Sequence, residues 1–537
     1  MNKTLIARLR YKLQWRWSDF VSDWRVARLA RHVVKHSPAS SGAPTLVFFK
    51  ASSGILRMSL NNAFHLLTAL SLRLQGVRVV HFACHAGMSR CVLGTDRDNA
   101  SVRPPCSACI RHTRRTYPHQ EVHWFSYAED AQLALALQDL DLEALGQFAY
   151  QDLPLGKLCL PSLRWILRRH NLPDDEPTRF LLRQYILSAN RIAQEFSTLL
   201  KHVKPQAVVL FNGMFFPEAV ARHVAQVLEI RVITHEVGFQ TYSAFFTDGE
   251  ATAYPITIPA DFELSPSQNA RLDRYLDQRT QGNFTMAGIR FWPEMKGLDD
   301  AFLAHASKYK QIVPVFSNVV FDTSQVHANT IFSDMFAWLD LVLEVMRGHP
   351  ETYFVLRAHP DENRPGKESR ESVQTWVSKQ EVCTLPKVTF VSPDEHLSSY
   401  ELIQHAKFIM VYNSSIGLEA ALAGVPVLCG GKARFTAYPT VFFPATAQEY
   451  GRLAEKFLNE EEIMLPPEFQ VNARKFLYYQ LYRTSLPFGE YLEPTPFPGF
   501  VKLQSFQYSR LYPSASPTLQ VISKGILDGG AFLFPEN

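Results

Sequence analysis

Consecutive parallel strands need a crossover between them, so a chain that repeats strand, polar turn, helix and strand has few folds open to it. The clearest instance here runs from Lys407 to Gly431. The apolar run KFIMV (Lys407–Val411) is followed by Asn413, Ser414 and Ser415 where a helix should begin. Gly417 leaves the first turn open to close approach, and Ala420, Ala421 and Ala423 let the helix lie tightly on a sheet. Gly424 is placed to end it before the strand PVLC. Backbone N–H groups at such a turn, with two serine hydroxyls, suit a phosphate or diphosphate; a simple serine N-cap is the plainer alternative.

The same alternation recurs along the chain and predicts an α/β fold with two Rossmann-like domains. TLVFFK (Thr45–Lys50), a small-residue turn at Ser52, Ser53 and Gly54, a helix, and VRVVHFAC (Val77–Cys84) make one unit. AVVLFNG (Ala207–Gly213), a helix near 217–228 and RVITHE (Arg231–Glu236) make a second, expected in the same parallel sheet. Between them, residues 122–203 read as a mostly helical cover. After a linker-like region at 254–295 the pattern restarts at Ile312 and continues through TYFVLRAHP (Thr352–Pro360). The expected divisions are residues 1–44, a basic helix with a linker; 45–290, an acceptor domain; 291–465, a nucleotide-sugar domain; and 466–537, a tail packing across both.

Charge is concentrated at the start. Nine Lys/Arg against two Asp fall within residues 1–36, while the remaining residues sum to −3. Leu5, Leu9, Leu13, Trp17, Phe20, Val21 and Trp24 share a helical face, giving a basic amphipathic helix suited to an anionic membrane surface or to docking on the protein itself. No basic groove elsewhere points to nucleic acid. No apolar run reaches the roughly 18 residues that cross a bilayer, and the N-terminus lacks a signal peptide's uninterrupted apolar core. The expectation is a cytoplasmic protein, peripheral at the inner face of the membrane. In such a reducing compartment, the sequon at Asn283–Thr285 carries no meaning.

Four of the seven cysteines, Cys84, Cys91, Cys106 and Cys109, lie within 26 positions. A C-x-x-C pair plus a remote pair reads as structural zinc, with His85 or His112 as substitute ligands, as an iron–sulfur cluster, or as free thiols. Asp96-Arg97-Asp98 inside this loop reads as solvated surface.

Ligands of open parallel sheets sit beyond the C-terminal strand ends. That selects Asn212 and Gly213 on the acceptor side, and His235, Glu236 and Gly238 after the next strand. In the second domain it selects Asn318, with Asp322 and Ser324 following, then Arg357 and His359. Pro360 stops the strand and aims His359 into the crevice, where an imidazole can donate to a diphosphate oxygen. Arg357 can meet phosphate, or pair with Asp361 or Glu362. Glu419 can accept from two ribose hydroxyls. Glu236 is the first candidate for the catalytic base and His235 the second, with Asp248, Glu250 and Asp322 behind them.

The segments VLFNG, ITHEVG, LRAHP and YNSSIGLEAALAGVPVL together resemble GT-B glycosyltransferases, and more narrowly capsule-polysaccharide biosynthesis proteins and bacterial Kdo transferases. The resemblance implies two Rossmann-like domains facing a central cleft and a nucleotide-sugar donor, with CMP-linked Kdo as an example. It further implies phosphate contacts from His359, Ser414 and Ser415 and a ribose contact from Glu419. The acceptor would be a growing surface glycan, free or lipid-linked, and no metal would be needed for catalysis. The glutamate that many retaining GT-B enzymes carry eight residues before the ribose glutamate is Val411 here. A CDP-polyol phosphotransferase of teichoic-acid type, or a non-catalytic glycan-binding assembly protein, is the alternative.

Overall fold

The structure is a computed structural model and describes residues 3–38, 42–51, 57–280, 296–496 and 499–536. The turn at Ser52, Ser53 and Gly54 and the sequon at 283–285 lie outside the described residues.

The first domain is built on a seven-stranded sheet. Its strands are β1 (Thr45–Lys50), β2 (Arg78–Cys84), β3 (Glu121–Phe125), β4 (Ala207–Phe211), β5 (Arg231–Val237), β6 (Ser243–Asp248) and a last strand from the tail. They run in the order tail strand, β6, β5, β4, β1, β2, β3. The five from β5 to β3 are parallel, with Val47 opposite Val80 on one side and Val208 on the other. Successive side chains of β1 point to opposite faces. Phe48 therefore joins a core with helix α1 (Lys3–His36), helix α2 (Leu60–Leu74) and the C-terminal tail, while Phe49 meets Phe82 and Phe196 under the long helix Glu176–Val203. Burial on both faces explains the uninterrupted apolar runs.

The second domain holds β7 (Gln311–Phe316), β8 (Thr352–Arg357), β9 (Val388–Val391), β10 (Ile409–Val411) and β11 (Val427–Cys429). They form a fully parallel sheet in the order β11, β10, β7, β8, β9. Trp338, Phe354 and Tyr412 fill one face; Ile409, Val427 and Phe435 lie on the other.

Several segments differ from expectation. The stretch read as helical from residue 122 opens as strand β3. Strand β6 is antiparallel to β5, pairing Phe246 with His235, and the tail strand β12 (Leu486–Pro487) pairs antiparallel with β6 at the sheet's edge. Their partners lie across a hairpin or far along the chain, so no crossover pattern announces them. The linker-like region contains the helix Pro266–Thr280, and its residues 281–295 lie outside the described residues.

The sheets' two domains meet through polar contacts. Arg97 Nη2 donates to the Gly366 carbonyl at 2.8 Å and Arg370 pairs with Asp98, so the Asp96-Arg97-Asp98 segment reaches across to the second domain rather than standing in solvent alone. Glu371 accepts from the His170 and Asn171 amides, and Glu250 accepts from His327 at 2.5 Å.

The C-terminal half of α1 is docked, with Val26, Leu29, Ala30 and Val33 buried. Arg25 donates to Glu493 and Arg115 pairs with Asp23. Trp17, Phe20 and Trp24 instead stand 68%, 60% and 47% exposed. Nothing is described of the side chains at 5, 9 and 13. No described helix is long and apolar enough to cross a membrane.

Candidate functional site

Glu236 ends β5, where the sheet leaves its side chain to the crevice. Its carboxylate accepts three hydrogen bonds, each at 2.9 Å: from Asn61 Nδ2 and the Val237 amide at Oε1, and from Asn212 Nδ2 at Oε2. Burial pushes its pKa up, the three donors pull it down and the nearby Asp322 raises it again; the net shift is upward. All three donors are neutral, and each of their hydrogen bonds favours the ionised form that a general base requires, against the burial that disfavours it.

Asn212 explains this fixity. It sits in the left-handed region at φ 63°, and its Oδ1 accepts from the Met214 and Phe215 amides, so its Nδ2 can only aim at Glu236. At 3% exposure it orients the carboxylate instead of meeting an acceptor. Gly213, at φ 86°, makes the turn, and a Cβ there would come within 3.2 Å of Thr234. Neither residue is the direct acceptor contact that the sequence suggested.

His235 is a correction of another kind. As the residue before Glu236 it points to the opposite face, fully buried, with its Nε2 3.3 Å from His65 Nδ1 and its ring against Phe246. Burial drives its pKa down to about 3. It has no access to the crevice and cannot be the base.

On the facing domain, His359 lies just past β8. Its Nδ1 accepts from the Asp361 amide at 3.1 Å, which places the ring proton on Nε2, and its own amide donates to Ser317 Oγ. Burial holds its pKa below the ordinary value, against Asp361, which raises it, so the ring is a neutral N–H donor.

Ser415 occupies the N-cap of the helix Ile416–Leu422 without a side-chain capping bond. Its carbonyl accepts from Leu418 and Glu419, and that of Ser414 from Gly417. The hydroxyls are thus not consumed by the helix start. A seven-residue helix contributes only a modest dipole, so the side chains have to do the binding.

Asn318 Nδ2 donates to Asn413 Oδ1 at 2.7 Å, lacing the loops after β7 and β10 together. The pair positions the serine turn, with Asn318 Nδ2 and Asn413 Oδ1 committed to that tie. Gly417 has a packing reason: a Cβ would stand 3.0 Å from Val411 Cγ2 and 3.2 Å from Phe435 Cζ, so the glycine serves the helix–sheet contact and leaves no opening toward a ligand.

Two charged candidates are spoken for. Arg357 is 4% exposed and donates to the Leu397 carbonyl, and among the described residues no ion pair joins it to Asp361 or Glu362. Glu419 receives Arg279 Nη2 at 2.5 Å and the Tyr400 hydroxyl at 2.5 Å, one on each oxygen. The expected ribose acceptor is therefore a buried ion-pair partner. Among the lesser candidates, Asp248 pairs with Arg231 and Glu250 with Arg222 and His327.

Asp322, a reserve candidate from the sequence, and two residues that the motifs did not mark complete the crevice. Arg434, following β11, places its guanidinium 4.2 Å from the Tyr254 ring centroid and 4.6 Å from that of Phe239, both on the first domain. Its guanidinium lies within electrostatic reach of the Asp322 and Glu236 carboxylates. Asp322 is exposed and within electrostatic reach of both Glu236 and His359. Tyr254 bonds the Val237 carbonyl through its hydroxyl at 3.0 Å. Glu236, Asp322, His359, Arg434 and Tyr254 thus converge from two domains. A cavity of about 230 Å³ beneath α1, lined by Asp19, Arg57, Arg111 and His112 among others, is remote from this group.

The four cysteines also come together, around a small pocket between β2 and helix α3 (Cys106–Thr116). Among the described residues there is no group of three His, Cys, Asp or Glu able to hold a metal ion.

Residues 285–438 match the family described as "Capsule polysaccharide biosynthesis protein". That match spans the second domain's serine turn and His359, and less than half of the chain. No curated protein matches the chain. Solved structures similar to it include Thermosulfurimonas dismutans KpsC, as its beta Kdo 2,7 transferase, at 15% identity over 58% of this chain and 85% of that one, with a TM-score of 0.32. The beta Kdo 2,4 transferase of the same protein is 12% identical over 57% and 87%, with a TM-score of 0.34. The UDP-GlcNAc 2-epimerase of Neisseria meningitidis, bound to UDP-GlcNAc, is 13% identical over 81% and 98%, with a TM-score of 0.23. At such scores these likenesses assign neither substrate nor reaction. With the family match over its second domain and two doubly wound sheets facing one crevice, the chain resembles the GT-B glycosyltransferases of capsule polysaccharide biosynthesis.

Proposed function

We propose that the protein transfers a sugar from a nucleotide-linked donor to a growing surface polysaccharide. The observation that carries this reading is Glu236, a carboxylate fixed by neutral donors near a strand end and within electrostatic reach of Asp322, which also acts on His359 of the second domain. In the reaction, Glu236 takes the proton of the acceptor hydroxyl as its oxygen bonds the anomeric carbon. The bond from that carbon to the nucleotide phosphate breaks, and the electron pair leaves with the phosphate. His359 Nε2–H and the hydroxyls of Ser414 and Ser415 are the donors suited to that growing charge, and Arg434 supplies the compensating positive field. A CMP-linked donor is the first choice, on the resemblance of LRAHP and YNSS to the Kdo-transferase pattern. Nothing in this chemistry requires a metal.

Glu236→Gln keeps the side-chain size and the two contacts at Oε1, sets an NH2 against Asn212 Nδ2, and removes the proton acceptor. Transfer should drop roughly a thousandfold, with donor affinity by calorimetry unchanged. Full turnover by the Gln variant sinks the assignment of the base; no binding of any nucleotide sugar by the wild type sinks the function.

The exposed Trp17, Phe20 and Trp24, with Arg16 and Arg28 beside them, form the surface by which the protein would rest on an anionic bilayer. Co-sedimentation with phosphatidylserine vesicles should fall when Trp17 and Trp24 are both changed to Ser; equal sedimentation of wild type and variant removes this surface from the reading.

A further inference from the structure

Arg168 ends the helix Leu155–Leu167 of the first domain in the left-handed region, at φ 57°, and is 5% exposed. Its guanidinium carbon lies 4.3 Å from the centroid of the Trp165 ring and 4.8 Å from that of Phe321, a residue of the second domain. Aromatic rings attract a guanidinium through their faces, but they satisfy none of its five N–H donors as a carboxylate would. Among the described residues no hydrogen bond or ion pair meets those donors, and Nε is buried without a partner. Burial, with the nearby Arg97, lowers its pKa only to about 10, so the group is charged at neutrality. A buried cation needs a counter-charge.

The carboxylates around it have other partners. Glu368 faces Arg97 at 3.9 Å, Asp361 faces Arg364 at 3.7 Å, and Asp98 pairs with Arg370. Asp322 is within electrostatic reach of Arg168, but no ion pair joins them, and its Oδ2 accepts from Ser324 Oγ at 3.0 Å. Lys367 is exposed on the second domain, lies within reach of both Arg168 and Asp322, and has no ion pair among the described residues. Two unpaired cations, one from each domain, thus repel each other unless an anion joins them.

Packing ties Arg168 to the acceptor side of the crevice. Trp165 stands edge-on to Phe215 at 5.0 Å, and the Phe215 amide donates to Asn212, the residue that orients Glu236. The donor phosphate has its own candidates, His359 and the serine turn, on the other domain. A guanidinium held between two rings cannot turn freely, and its planar fork matches the two oxygens of a carboxylate. We propose that Arg168, with Lys367 as the second cation, binds a carboxylate of an acidic acceptor glycan while Glu236 takes the proton of that acceptor's hydroxyl. This rests on the transfer reading above and adds selectivity by charge, since a neutral glycan would leave the guanidinium without its partner.

The test is calorimetry on the full chain with a short oligogalacturonate, the same oligomer with its carboxyls methyl-esterified, and CMP. The acid should bind about tenfold or more tighter than the ester, the difference expected for charge-assisted hydrogen bonds. Arg168→Gln and Lys367→Gln should each remove most of that preference by weakening the acid alone, with the Kd of CMP unchanged. Lys367 is exposed, so its variant gives the answer even if Arg168→Gln does not fold. Equal binding of acid and ester, binding of neither, or an acid preference that the folded variants retain overturns the proposal. So does a loss of CMP affinity in Arg168→Gln with acid binding intact, which would give the cation to the donor phosphate. A chain that prefers the acid through these residues but binds no nucleotide keeps the anion site and loses the transfer reading.

Discussion

Two glutamates stand at the edges of the same crevice and are treated in opposite ways. At the end of β5, Glu236 is held by two asparagine amides and a backbone N–H, none of them charged. One turn into the helix Ile416–Leu422, Glu419 is held by the Arg279 guanidinium and the Tyr400 hydroxyl. Neutral donors fix a carboxylate without cancelling its charge, so Glu236 remains able to receive a proton. The guanidinium cancels the charge of Glu419, which then serves to fasten the helix Pro266–Thr280 to the second domain. The identity of a catalytic carboxylate is thus written in the charge of its partners, which no local motif records.

The contrast can be broken most forcefully at Glu419. Glu419→Gln leaves Arg279 buried beside a neutral group, at a cost of about 3 kcal/mol. Denaturant unfolding should show that loss while turnover of the folded fraction is kept. Unaltered stability with collapsed donor affinity would return Glu419 to the ribose. The serine turn comes next. Neither hydroxyl is needed to start its helix, so Ser414→Ala with Ser415→Ala should change stability by less than about 0.5 kcal/mol. The nucleotide-sugar Kd should rise about tenfold to a hundredfold, since hydrogen bonds to charged groups contribute roughly 1.5–3 kcal/mol. An unchanged Kd would move the phosphate elsewhere.

The smallest effect sharpens the Glu236 side. Transfer requires the ionised carboxylate, so the rate should fall as pH drops through its raised pKa. The Asn61 bond favours the charged form, and Asn61→Ala removes it, so the acid limb should move to higher pH by up to about one unit while the plateau above it is unaltered. A limb that stays in place would show that another group governs it.

Strand ends were legible in the sequence because parallel strands buried on both faces leave long apolar runs, and the crevice side follows from the direction of the strands. That reasoning put Glu236 near the end of β5, His359 just past β8 and the serine turn just past β10, which is where they lie. It failed for His235 and Arg357 because which face a strand-end side chain takes depends on the register of burial, a difference of one residue. Arg434 and Tyr254 were missed for a different reason. Each lies in an irregular segment with no periodic signal, and they meet only because the two domains pack together. Asn61 sits in the first turn of α2, where a polar residue looks like ordinary helix-start chemistry. Partners separated by 175 positions, as Asn61 and Glu236 are, become visible only in three dimensions.

The tail strand β12 has a consequence for how the protein comes into being. β6 is complete by Asp248, but the strand that covers its edge begins at Leu486. At roughly 5–20 residues per second, a ribosome takes on the order of ten to fifty seconds to bridge that interval. Throughout it the nascent first domain presents an unpaired sheet edge, the kind of surface that recruits other strands. A message cut short before Leu486 would yield no smaller version of this fold; it would yield a chain with its adhesive edge permanently open.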